Sequence, residues 1–241
     1  MNMSITRSRG FTLVELAISI FIIALLLGSI LVPLATQVEQ RQIGETQKKL
    51  EEIRDALLGF AATNSYLPCP DTDNDGNENI DIVTGKCLTV TPGIAAGNLP
   101  WNTLGLMTNA DAWGNRFRYV INDRYGWRLA PPPGSPLVTL SGGGTDIRIC
   151  PAAGCAGAGT AVVAAVVSMG KNGYGATNSQ TGVANPAPAS VDEQENVDTD
   201  REIVNRTISA LGATAGEFDD IVISISQFVL FNRMITAGKL P

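Results

Sequence analysis

Histidine is absent from this 241-residue chain. That removes imidazole acid–base chemistry, Ser–His and Cys–His nucleophile pairs, and most catalytic zinc sites. Basic residues are also scarce: 17 Lys and Arg stand against 23 Asp and Glu, a net charge of −6. No basic stretch interleaved with aromatics offers the counterion release that drives phosphate binding, so nucleic acid is not an expected partner. Gly142, Gly143 and Gly144 lack the Lys-Ser/Thr and the strand-to-helix setting of a phosphate loop. An anchored enzyme would have to work with carboxylates, Lys or Ser. The acidic residues cluster only in loop-like segments, with no fixed carboxylate pair among them, so a non-enzyme is expected. The length suits one long helix plus one globular domain and is short for two full domains.

What the sequence does have is concentrated at its start. Residues 1–10, MNMSITRSRG, are polar and basic, and residues 11–34, FTLVELAISIFIIALLLGSILVPL, are almost wholly apolar. A run of that length can span a hydrocarbon core of roughly 30 Å as a helix. Arg7 and Arg9 precede it and no basic cluster immediately follows. The positive-inside rule then places the N-terminus in the cytoplasm and the remainder across the membrane. A secretory signal would have a shorter apolar region followed by a small-x-small cleavage site. A plain anchor would fit the length but leaves Glu15 unexplained, because an ionisable group inside such a run is costly and marks function by default.

The string Gly10-Phe11-Thr12-Leu13-Val14-Glu15, with its basic leader and apolar helix, resembles the processing site of type IV pilins and of type II secretion pseudopilins. The resemblance implies that a prepilin peptidase cuts between Gly10 and Phe11 and that the new Phe11 amine is N-methylated. Loss of Arg7 and Arg9 would leave 15 Lys and Arg against 23 Asp and Glu, a mature charge of −8. Cutting also creates a cation one helical turn from Glu15. In a filament core both charges would be buried, and an unpaired buried charge is very costly. Pairing Glu15 with the Phe11 amine of a neighbouring subunit removes the conflict and sets the axial register. Pro33, near the end of the apolar run, would bend or interrupt the helix.

The implied fold is α+β and pilin-like: a long N-terminal helix, half transmembrane and half amphipathic, packed on an antiparallel head with long loops. The expected organisation is a leader at 1–10, an assembly helix at 11–34, its amphipathic continuation at 35–64 and a head at 65–241. Leu50, Ile53, Leu57, Phe60 and Ala61 recur at helical spacing, and Lys48, Lys49, Glu51, Glu52 and Asp55 occupy the other side. The expected location is the bacterial inner membrane, single-pass, with the head in the periplasm and other pilin or pseudopilin subunits as partners.

Four cysteines, Cys69, Cys87, Cys150 and Cys155, suggest disulfides in an exported domain. Three pairings exist. The local one, 69 with 87 and 150 with 155, is favoured because each pair closes a loop rich in Gly, Pro, Asn or Asp. Free thiols or a zinc site are the alternatives, although the spacing is not that of a zinc ribbon. Residues 65–110 read as a long connection, which the first pair would brace. Within it, Asp71, Asp73 and Asp75 followed by Gly76, with Asp81 further on, resemble the first half of a calcium loop. Position twelve of that pattern is Ile82 rather than Glu. A polar Asx turn is the competing reading, and calcium is an optional ligand, not a required one.

Residues 116–121 and 127–129 read as a β-hairpin, with Asp111-Ala112-Trp113-Gly114-Asn115 resembling the start of the sheet in the major pseudopilin. Trp101, Trp113 and Trp127 read as core or loop anchors. Residues 146–149 and 161–169 are strand candidates, the second apolar on both faces and therefore central. Residues 170–202 read as a second long loop, polar and acidic at its end through Asp192, Glu193, Glu195, Asp198 and Asp200. The resemblance to pseudopilins implies that a comparable C-terminal loop can bind calcium, but no ligand spacing here is diagnostic and a solvated acidic loop is the favoured reading. Residues 218–226 read as a last strand and 227–237 as a short helix stopped by Gly238.

Overall fold

The computed structural model describes residues 10–88, 91–126, 147–155 and 158–240, the side chains of 27–35 excepted. The leader arginines, the 127–129 half of the expected hairpin and the triple glycine lie outside the described residues. The chain divides into two compact units, Met1–Gln42 and Ile43–Pro241.

Helix α1 (Leu13–Asn64) runs through residue 33 and contributes to both units. Over residues 13–26 it is apolar apart from Glu15 and Ser19, and exposed throughout. Phe11, Leu13, Phe21 and Leu25 are each at least 60% exposed. Among the described residues no helix is long and apolar enough to cross a membrane. The run expected to do so, 11–34, falls partly on the side chains outside the description.

The second unit is built from β1 (Ile94–Asn98), β2 (Arg118–Asn122), β3 (Ile147–Cys150), β4 (Thr160–Val162), β5 (Ala164–Ser168), α2 (Val191–Val197), β6 (Glu202–Val204), β7 (Ile221–Ile225) and α3 (Gln227–Thr236). An antiparallel sheet runs β1-β2-β5-β7, and a smaller sheet runs β4-β3-β6 with β3 and β6 parallel. Strand alternation then sorts the side chains into two cores. Tyr119, Ile121, Ala164, Val166 and Ile225 pack with Leu50, Ile53, Leu57 and Ala61 of α1 and Leu230 and Met234 of α3. Val120, Ala165 and Val167 pack on the other side with Ile147, Val162 and Ile203 of the small sheet. The four-stranded sheet is thus covered by helices on one face and by a second sheet on the other.

Three expectations need correction. The 65–110 connection contains β1, whose Ile-Ala-Ala-Gly-Asn sequence lacks the usual strand alternation. It pairs with β2 from Ile94↔Asn122 to Asn98↔Arg118. The 161–169 run is two strands in different sheets, divided at Val163. There the backbone turns its N–H to Ile225 O (2.9 Å), and its carbonyl accepts from Asn122 N (3.0 Å). Its second piece, β5, is interior in the sheet and buried throughout because both of its faces are covered. Residues 170–202 carry α2 and the start of β6 rather than a plain loop, and Asp192 and Glu193 are buried.

The C-terminal elements follow local signals. Ser226 caps α3 by accepting from Val229 N at 3.3 Å. The helix ends in a Schellman closure, with Gly238 N donating to Ile235 O and Lys239 N to Met234 O, both 2.9 Å. Disulfides join Cys69 to Cys87 and Cys150 to Cys155, the local pairing.

Candidate assembly site and acidic clusters

The helix start is organised by a reciprocal cap. Thr12 N donates to Glu15 Oε2 at 3.0 Å and Thr12 Oγ1 to the same oxygen at 2.9 Å. Glu15 N donates back to Thr12 Oγ1 at 3.2 Å. This is a capping box in which Thr and Glu three apart satisfy each other's end of the helix. Gly10, Phe11, Thr12 and Glu15 line one hollow at this end, and all four are exposed. Gly10 and Phe11, the expected processing residues, and Glu15, the expected assembly residue, therefore sit together on an accessible surface. The motif singles out Glu15 without its use by Thr12, although the Thr-x-x-Glu spacing carries that signal.

The 71–81 loop is an Asx-rich turn braced by the Cys69–Cys87 disulfide. Asp71 is fully buried. Its Oδ1 accepts from Asp73 N (3.1 Å) and Asn74 N (2.7 Å), and its Oδ2 accepts from Gly76 N (2.9 Å). Asp73 and Asp75 bond backbone and side-chain N–H groups of Asp75, Asn77 and Asn79. Gly76 is required here: its φ is +85°, and a Cβ would lie 2.4 Å from the Trp101 indole nitrogen. Asp71, Asp73 and Asp75 bring carboxylate oxygens within 4.8 Å of one another. Asp81 is not part of that group. It holds a separate turn by accepting from Val83 N (2.8 Å) and Thr84 N (3.3 Å). The same loop walls a groove of about 350 Å³, whose Arg116 donates to Asn74 O at 2.9 Å and whose Arg118 donates to Asp198 O.

A further acidic group is not visible in the sequence. Glu193 from α2 and Asp219 and Asp220 from the entry to β7 bring carboxylate oxygens within 4.8 Å of one another. Glu193 is 2% exposed and Asp220 is 3% exposed. Burial pushes the Asp220 carboxyl well above the usual range, even though Asn196 donates to it at 2.7 Å. Asp219 is pushed up to about 6, by burial first, against the opposing bond from Asn172 N. Burial also raises Glu193. Only Glu193 lies in the segment that reads as solvated and acidic, while Asp219 and Asp220 read as the beginning of a strand. Distance along the chain hides the grouping. Glu195, Asp198 and Asp200 form a more exposed group nearby in sequence.

Residues 5–31 match the family description "prokaryotic N-terminal methylation motif", the signature of type IV pilins and pseudopilins. No curated protein and no solved structure matches the chain. The motif supports a type IV pilin-like or pseudopilin protein, points to a structural role, and implies processing by a prepilin peptidase and assembly with other pilins.

Proposed function

We propose that this chain is a structural subunit, minor or accessory, of a type IV pilus or type II secretion machine. A prepilin peptidase removes residues 1–10, and the exposed Phe11 amine is methylated. Residues 11–34 hold the protein in the inner membrane, with the head in the periplasm, until the subunit is drawn into a pilus or pseudopilus. Subunits join through their apolar helices, and the Glu15 carboxylate meets the Phe11 amine of a neighbour. The observation that carries this reading is the coincidence of the methylation motif with an accessible Gly10–Phe11 junction and a carboxylate one turn away. The exposed apolar helix segment behind them needs a lipid or protein environment to cover it. The head's size and its two elaborated connections favour an accessory rather than a bulk subunit.

The competing reading is an anchored calcium-dependent binding or adhesion module that uses the helix only as a tether. It does not need the Gly10 cut. The intact mass of the chain purified from membranes of its native host separates the two. The expected species begins at N-methyl-Phe11. An uncut chain beginning at Met1 or Met3, in cells with active prepilin peptidase, would overturn the assembly reading.

A further inference from the structure

The groove beside the 71–76 loop holds two arginines with little to bind. Arg116 and Arg118 are two residues apart, so an extended chain turns both to one face, and both line the groove. The Arg116 side chain is 11% exposed. It donates to a neutral acceptor, Asn74 O, at 2.9 Å. The one carboxylate in ion-pair range among the described residues, Asp71 Oδ2, stands at 3.8 Å and is already held by Gly76 N. Arg116 Nε is buried and has no acceptor among the described residues. Arg118 donates to another neutral carbonyl, Asp198 O, and forms no ion pair among the described residues. The Asp198 carboxylate accepts from Asp200 N instead, at 3.0 Å. Cations drawn this far out of water are costly unless an anion meets them.

The same groove is walled by an open stretch of sheet edge. β1 is the outer strand of its sheet. Asn98 N donates to Asp71 O at 2.8 Å and Asn98 O accepts from Asp71 N at 2.9 Å, while Ile94 N donates to Thr91 O at 2.9 Å. Asn98 and Ile94 therefore turn their backbone groups away from β2. Alternation turns the N–H and C=O of Ala96, midway between them, in the same direction. Among the described residues nothing bonds either group, and Ala96 lines the groove. The chain that pairs with Asn98 folds into a turn on the Asp71 carboxylate immediately afterwards, so it does not continue along β1 to Ala96.

We propose that this groove binds an extended peptide segment of a partner protein through an acidic side chain. The peptide backbone bonds to Ala96 as a short added strand. Its carboxylate meets Arg116 and Arg118, whose planar forks match the two oxygens of a carboxylate. A volume of about 350 Å³ lies at the small end of ligand clefts and limits the contact to a few residues. Charge selects an acidic segment over a basic one. The ionic side chains of the groove are the two arginines and Asp71, and both Asp71 oxygens are taken up by backbone N–H groups. The proposal does not rest on filament assembly.

The test uses the full-length protein in detergent and a fluorescein-labelled hexapeptide of alternating Glu and Val, with Gln in place of Glu as the control. Fluorescence anisotropy should show the Glu peptide binding about tenfold or more tighter than the Gln peptide, the worth of one charge-assisted hydrogen bond. Binding should weaken as salt is raised from about 0.1 to 1 M. Hydrogen exchange at the Ala96 N–H should slow when the Glu peptide is bound, a readout that needs no variant. Arg116→Gln and Arg118→Gln should each weaken the Glu peptide by about tenfold or more, with the melting temperature followed alongside. Arg118→Lys, which keeps the charge without the fork, should fall between. Arg54→Gln, on α1, should bind as the wild type does. The proposal is overturned by a wild type that ignores the Glu peptide, by equal binding of the Gln peptide, or by unchanged affinity in a folded variant lacking both arginines. Unchanged exchange at Ala96 in the presence of bound peptide overturns the added strand. Inorganic phosphate binding as tightly as the peptide overturns the assignment to a peptide.

Discussion

The two ends of α1 are parts of one helix with opposite relations to their surroundings. In the first unit, Leu25 and Phe21 stand at least 60% exposed. Further along the helix, Leu50, Ile53, Leu57 and Ala61 are at most 1% exposed, under a sheet the same chain supplies. The head half completes its own hydrophobic burial. The N-terminal part, over residues 13–26, keeps its apolar side chains exposed.

Breaking the contrast at the N-terminus should give the largest effect. Glu15→Leu should leave membrane insertion and the head's melting temperature unchanged. Removing one partner of a buried ion pair costs about 3–5 kcal/mol, so incorporation into sheared filaments or crosslinked oligomers should fall by about a hundredfold or more. Normal incorporation would show that Glu15 is not paired in the assembly.

A matched pair of truncations sharpens the comparison. Leu57→Ala should destabilise the head by about 2–5 kcal/mol, the cost of a cavity at a fully buried leucine. Leu25→Ala should move the same denaturation midpoint by no more than about 0.5 kcal/mol. Equal effects would mean that the two units unfold together.

The smallest effect is electrostatic and confined to the head. Asp111 accepts from Trp113 N and Asn115 N at 2.9 Å each and from Ser168 Oγ at 2.8 Å. Burial raises its pKa above the ordinary value of 3.8, against those bonds and the charge of Lys49. A raised folded value means that the stabilising share is complete below the unfolded pKa and is lost as pH rises through the folded one. The Asp111→Asn variant cannot titrate, so its stability relative to the wild type should rise with pH from about 4 upward, by chemical denaturation. Asp111→Ala should cost about 1–3 kcal/mol, because it strands two backbone N–H groups. A pH-independent gap between the Asp111→Asn variant and the wild type would refute the titration argument.

The legibility of the sequence follows the same division. Where information is local, residues alone suffice. Examples are the 3.6-residue stripe of α1, the alternating isoleucines of β7, the Gly238 stop of α3 and the N-terminal methylation motif. Where it is made by contacts distant in sequence, residues mislead. β1 looks like a loop because Gly97 serves a close backbone approach, where a Cβ would lie 2.5 Å from Asp71 O. α2 has only 7 residues, too few to declare a periodicity. Residues 161–169 look like one strand because burial on both faces erases the alternation that would reveal the sheet change at Val163. The acidic group of Glu193, Asp219 and Asp220 is brought together from two elements and has no spacing a sequence could reveal.

The Cys69–Cys87 bridge shows another property of the head. Its sulfurs lie 3.6 and 3.7 Å from the carbonyl oxygen of Gly126, and a Cβ at that glycine would meet Cys87 Sγ at 2.3 Å. Backbone, not solvent, covers the bond, and thiol exchange needs a thiolate to reach a sulfur along its axis. A reductant must therefore wait for the Asp123–Gly126 turn to lift. The crosslink thus reports on the opening of that turn: where reclosing is faster than attack, its reduction rate is set by the product of the open population and the reductant concentration.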